Sequence, residues 1–257
     1  MPDMLIIAGP NGSGKSTIYP AIRNVNREEW SYEPEYIKEE NFVNADNIAR
    51  DYHLSDSEAA RKAIQQIEHF IESGESFSIE STLSGKTLLK HIARAKQKGF
   101  RVYVIYVMVD SAELSMVRVT QRALLGKHYI NLSNILTRYS RSIANFFNSY
   151  KKTADFWLVA DNSGLKISPL CWGGDIFGNN VSFADSIERV LHLNHILQKN
   201  SLEVSVNEDF VNTEDRFTPI VIRKIQAVIE EEIQNRPIGN FVCVSDNGVV
   251  KFINVHA

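Results

Sequence analysis

Residues Gly9 to Thr17 read GPNGSGKST and follow directly on the apolar run Met4-Leu5-Ile6-Ile7-Ala8. The run has the length and composition of a buried strand. The loop fits G-x-x-x-x-G-K-[ST], the pattern of a phosphate-binding turn between a strand and a helix. Gly9, Gly12 and Gly14 are expected there so that backbone N–H groups can close on phosphate oxygens without a Cβ in the way. Asn11, Ser13 and Thr17 complete the cradle, Lys15 reaches the β and γ phosphates of a nucleotide, and Ser16 offers its hydroxyl to a magnesium ion. A helix beginning near Ser13 turns the positive end of its dipole toward the same anion. A Gly-rich surface turn would not need the lysine.

Outward from the loop, strands and helices alternate. Asn41 to Asn44 reads as a short strand delivering Ala45-Asp46-Asn47, and Ser55 to Glu58 carries capping boxes for a helix that Gly74 ends. Ser76 to Ile79 is a strand followed at once by Glu80-Ser81-Thr82, with Ser84 as cap of a helix closed by Gly99. Arg101 to Val109 (RVYVIYVMV) is the clearest buried strand. Asp110 to Glu113 opens a helix, Leu132 to Tyr150 is an amphipathic helix, and Phe156 to Ala160 is the last core strand, ending in Asp161-Asn162-Ser163-Gly164, read as a turn. Pro20 is expected to kink or shorten the first helix. This alternation implies an α/β fold, a doubly wound parallel sheet of P-loop kinase type with its site at the strands' C-terminal edge. Residues 1–165 form the expected core, with a helical lid around 122–141, and residues 166–257 an appended α+β region. In that region Gly173-Gly174 reads as loop, Phe183 to Lys199 and Thr218 to Asn235 as helices, and Asp246-Asn247-Gly248 as a hairpin turn.

Composition narrows the class. With 257 residues, 44% apolar and 23% charged, the chain reads as a soluble globular protein without extended disorder. No apolar run approaches bilayer length and the N-terminus lacks a basic leader, so no membrane association is expected. Cys171 and Cys243 have no metal-ligand spacing, and a reducing cytoplasm is the expected location. The net charge of −3 conceals a basic middle: Ser81 to Lys152 holds thirteen Lys and Arg against Asp110 and Glu113. That middle is a nucleic-acid face or the phosphate-handling side of an enzyme.

Phosphoryl transfer needs a donor cradle, a metal, a base for the acceptor hydroxyl and cations for the spreading charge. Asp46 could face the γ-phosphate and accept the acceptor's proton, or cap the helix after it. Glu80 and Thr82 could bind acceptor hydroxyls or order the metal's waters, or cap the next helix. Asp110 has the position of a metal-orienting aspartate but ranks below an ordinary helix start. Arg122, Arg138 and Arg141, with Gly126-Lys127-His128 between, could close guanidinium groups on the transition state, or be salt-bridged surface residues. His128 could touch substrate or face solvent.

Taken together, GPNGSGKST, NADNIAR, IESTLSGK and RVTQRALLGKH followed by RYSRSIANFF resemble the zeta toxin family of kinases, over about Met4 to Gly164 and including DNSG. The resemblance implies ATP and magnesium, with phosphate passed to the 3′-hydroxyl of the amino sugar in UDP-N-acetylglucosamine. Asp46 would be the base, Glu80 and Thr82 would hold the sugar, and the arginines would stabilise the moving phosphoryl group. An inhibitory antitoxin covering the ATP cleft is a partner the resemblance suggests. Lys127 departs from the family, since many smaller bacterial relatives carry a second glycine there, and Gly173 to Ala257 lies outside the resemblance. Two rival readings are a kinase of nucleic-acid 5′-hydroxyl ends, against which overall acidity argues, or of another small hydroxyl compound, and a nucleotide-dependent switch or binding module. No [NT]KxD motif supports a GTPase switch.

Overall fold

The computed structural model describes residues 1–23, 38–124, 132–165, 167–174, 181–183, 196, 241–246 and 249–254. Strands β1 (Asp3–Ala8), β2 (Phe42–Val43), β3 (Phe77–Ser81), β4 (Arg101–Met108) and β5 (Phe156–Asp161) are parallel. Strands β6 (Ser168–Gly173) and β7 (Val181–Phe183) add antiparallel, in the order β2-β3-β1-β4-β5-β6-β7. Helices α1 (Lys15–Arg23), α2 (Ala45–Tyr52), α3 (Asp56–Ser73), α4 (Thr87–Gln97), α5 (Ala112–Leu124) and α6 (Leu132–Asn148) connect them.

Central strands are apolar throughout because both faces of the sheet are covered. Met4, Ile6 and Ala8 of β1, with Val102, Val104, Tyr106 and Met108 of β4, face the side packed by α3, α4 and α6. Leu5, Ile7, Tyr103, Ile105 and Val107 face the opposite side, against Ile18 and Tyr19 of α1. Because β1 pairs with β3 on one flank and β4 on the other, the loop leaving it opens at the point where chain connections diverge, the usual ligand crevice of such sheets.

Several local expectations change. Helix α1 starts at Lys15 and runs through Pro20 to Arg23. The cap of α2 is Asn44, whose side chain accepts from the N–H groups of Asp46 and Asn47, so Asp46 does not serve as a cap. Ser84 does not cap α4, which starts after Lys86; the hydroxyl of Ser84 bonds Thr82 instead. Ser111 caps α5 by accepting from the Leu114 N–H, while the Asp110 N–H donates to Ser163 Oγ. Glu58 accepts from both the N–H and the hydroxyl of Ser55, and Gly74 closes α3 at φ 71°, as the capping pattern implies.

Past residue 165 the same sheet continues. Of the Gly173-Gly174 pair, read as loop, Gly173 instead ends β6, paired to Trp157, and Gly174 follows the strand. Strand β6 buries Pro169, Leu170, Cys171 and Trp172, and Ile196 is buried in the main core. Burial pushes the Cys171 thiol up to about 12. The hairpin appears as β8 (Phe241–Asp246) and β9 (Val249–Asn254) with Asp246 opposite Val249, and β8 lies against α5. Phe183, expected to start a helix, instead ends β7, while Ile196 is helical; the rest of the expected helices at 183–199 and 218–235 and the polar stretch before residue 38 lie outside the described residues. Among the described residues no helix is long and apolar enough to cross a membrane.

Candidate active site

The phosphate loop is built by what stands behind it. Lys15 Nζ donates to the carbonyls of Gly9 and Pro10 at 3.0 and 2.9 Å. The Asn11 carbonyl accepts from Ser115 Oγ of α5, and the Ser13 carbonyl accepts from Asn162 Nδ2 at 2.9 Å. A trans peptide sets its N–H opposite its C=O. Tying the carbonyls of Asn11 and Ser13 to the body of the protein therefore turns the N–H groups of Gly12 and Gly14 away from it, as anion binding requires. The glycines answer to this wall as well as to a phosphate. A Cβ on Gly9 (φ +143°) would lie 1.9 Å from the Val107 carbonyl oxygen, and one on Gly12 (φ +73°) 2.7 Å from that of Ser115.

Asp161-Asn162-Ser163-Gly164 is thus more than a turn. Asn162 also accepts, through its carbonyl, from Arg118 Nη1 at 2.7 Å, and Asp161 Oδ1 accepts from the Ser163 N–H and hydroxyl. Tetrapeptide, α5 and phosphate loop form one hydrogen-bonded block.

Across the loop, Glu80 at the end of β3 is the hub of the acidic edge. Its carboxylate accepts from Ser16 Oγ at 3.1 Å and from Asn44 Nδ2 at 3.0 Å, and Oε1 stands 3.9 Å from Lys15 Nζ. Asn44 therefore uses both ends of its amide: Oδ1 fixes the first turn of α2, which carries Asp46, and Nδ2 orients Glu80. Asp46 itself is exposed. Burial lowers the Lys15 ammonium from its ordinary value, Glu80 and then Asp46 draw it back up, and Arg122 pushes it down. Asp46 and Arg122 thus act on the loop lysine through their charge, while the contact itself comes from Glu80. Ser16 and Glu80 supply hard oxygen donors at the loop's mouth, the donor chemistry that suits magnesium. Among the described residues no group of three or more His, Cys, Asp or Glu side chains is placed to hold a metal ion.

Thr82 lies just beyond β3, its hydroxyl bonded to Ser84 Oγ at 2.9 Å. Arg122 and Arg141 are exposed and Arg138 is half-buried. Helix α6, which carries Arg138 and Arg141, is built into the core. Ile135, Tyr139, Ile143 and Phe146 are buried, Tyr139 Oη donates to the Val109 carbonyl at 2.6 Å, and the Tyr106 and Ser142 hydroxyls bond at 2.8 Å. Gly126, Lys127 and His128 lie outside the described residues. Bonds and close contacts thus join Lys15, Ser16 and Glu80, with Asp46 and Arg122 linked to Lys15 only through their charge, and the structure adds Asn44, Ser115 and Asn162, which sequence reasoning did not name as site residues. Asn44 and Asn162 stand inside the motifs NADNIAR and DNSG, where an asparagine reads as a cap or turn residue; each owes its place here to a bond far along the chain.

A profile of the zeta toxin family matches residues 1–164. An uncharacterized protein of Haemophilus influenzae is 30% identical over 140 residues, covering 52% of this chain and 91% of that protein. Among solved structures, the AvrRxo1-ORF1:AvrRxo1-ORF2 complex with sulphate ions is similar over 90% of this chain and 76% of its own, at 15% identity and a TM-score of 0.54. The corresponding complex with ATP is similar over the same shares at 16% identity and a TM-score of 0.52. Both likenesses concern the fold, and they extend well past residue 164. With the family profile covering well over half of its length, including the phosphate loop and the acidic edge, the chain belongs to the zeta toxin family.

Proposed function

We propose that the chain is an ATP-dependent kinase that phosphorylates an alcohol on a small molecule, the 3′-hydroxyl of the amino sugar of UDP-N-acetylglucosamine or a related sugar nucleotide. The observation that carries the reading is the placement of exposed Asp46 on a capped first turn, within electrostatic reach of Lys15 and joined to it through Asn44 and Glu80. The loop N–H groups and Lys15 bind the donor phosphates, and Ser16, with Glu80 beside it, holds magnesium. Bound magnesium neutralises charge on the β and γ phosphates. Asp46 accepts the proton of the attacking hydroxyl. Thr82, with His128, orients the sugar, and Arg122, Arg138 and Arg141 stabilise charge on the transferred phosphoryl group. Family membership supports a toxin role with an antitoxin partner, and the ATP complex of the AvrRxo1 fold neighbour supports the donor.

The test is incubation with Mg-ATP and a panel of UDP-sugars, nucleosides and 5′-hydroxyl oligonucleotides, with products read by mass. A UDP-sugar gaining one phosphate is the expected result, and Asp46→Asn should lower kcat by about a hundredfold or more while ATP affinity holds. Product from oligonucleotides alone would overturn the sugar acceptor. ADP release with no acceptor product would overturn the kinase reading.

A further inference from the structure

The segment after β3 is held from both sides. On one side the Gly9 N–H of the phosphate loop donates to the Ser81 carbonyl at 3.2 Å. On the other, Asn145 Nδ2 of α6 donates to the Leu83 carbonyl at 2.8 Å, and Tyr150 Oη donates to the Gly85 carbonyl at 2.7 Å. Between these anchors Leu83 is buried and adopts φ +51°, a left-handed conformation that a leucine takes only where its surroundings dictate it. That twist lets Ser81 Oγ accept from the Leu83 N–H at 3.2 Å and leaves Thr82 at the crest, its Oγ1 facing the Ser84 N–H and hydroxyl.

Asn145 follows Arg141 by four residues and Arg138 by seven, so the three share one face of α6. The same face that grips the segment therefore carries two of the arginines assigned to the phosphoryl group. We propose that Asn145 is a positioning residue for the acceptor: it clamps residues 81–85 so that Thr82 is presented at a fixed distance from Arg138 and Arg141. This rests on the proposed kinase activity for the identity of what Thr82 holds. The clamp makes acceptor binding and arginine placement properties of one rigid unit, while Lys15 and Ser16 belong to the loop on the other side of β3.

Three variants of the full chain test it. Asn145→Ala removes the amide, Asn145→Asp keeps its shape but not its donor, and Asn145→Gln restores a donor on a longer stem. Ala and Asp are expected to raise the acceptor KM by about tenfold or more, with the ATP KM and acceptor-free ATP hydrolysis unchanged, and Gln to recover most of the loss. Hydrogen exchange should quicken in amides 82–86 and stay unchanged along α6. A uniform fall of every activity that tracks lost thermal stability, or an unchanged acceptor KM in an active enzyme, would overturn the clamp. The exchange arm needs no substrate: unchanged exchange at 82–86 overturns the clamp whatever the activity. Quickened exchange there supports the clamp even when the wild-type protein phosphorylates nothing on the panel, a result that would count against the kinase reading alone.

Discussion

Lys15 is a cation buried for a task. Its ammonium donates to two carbonyls and stands beside one carboxylate, and burial lowers its pKa from the ordinary 10.5. The sign comes from proton counting. Below the lowered value both folded and unfolded chains carry the charge, and the full cost of burying it is present. As pH rises from the lowered value toward 10.5, the folded chain sheds its proton first and the cost fades. Lys15→Met removes the charge at all pH values. Its stability relative to wild type should therefore decline as pH is raised toward the ordinary lysine value of 10.5, as read by thermal melts of the two proteins side by side. A difference that stays flat or grows across that range would contradict the burial cost. The lysine's importance is plain from its motif, but its partners are not. Asn44, Asn162 and Ser115 act through bonds spanning tens of residues, and no local pattern distinguishes an asparagine that ends a turn from one that reaches across the fold.

Among the elements, α6 carries the sharpest contrast between what packing fixes and what it leaves exposed. Tyr139→Phe keeps the ring and deletes the hydroxyl that satisfies the Val109 carbonyl. It should lower stability by about 1–2 kcal/mol in urea titration, because a buried acceptor loses its donor. Arg141→Ala, on the exposed face, should stay within about 0.5 kcal/mol. Equal losses from both would mean that the helix is not anchored through Tyr139. The sequence shows α3, β4 and the β8–β9 hairpin well because each is announced locally, by a capping box, by a long apolar run and by Asp246-Asn247-Gly248 between strands. It hides β6, whose SPLCWG carries a proline and runs into a glycine pair. That strand exists because β5 offers it an edge, a tertiary fact. Leu83 is hidden for the same reason, since nothing in a leucine announces positive φ.

On the scale of the whole molecule, the sheet runs on past the family-matched segment. Ending the chain at Gly164 would strip β6 from β5 and expose the edge of Trp157, Leu158, Val159 and Ala160, all buried in the full sheet. Residues 1–164 alone are expected to aggregate on size exclusion and to lose the cooperative urea transition of the full chain. A cooperative transition at the same midpoint would show that β6 and the residues beyond it are dispensable. The phosphate loop also has a place in time. Gly9 is wedged between the Ser81 carbonyl of β3 and the Val107 carbonyl of β4, strands that come far later along the chain. A growing chain therefore carries GPNGSGKST long before it can give those residues their shape, since β4, α5 and Asn162 must all have been made before the cradle has its full support. The motif thus becomes a site only after segments far beyond it in the sequence have been made.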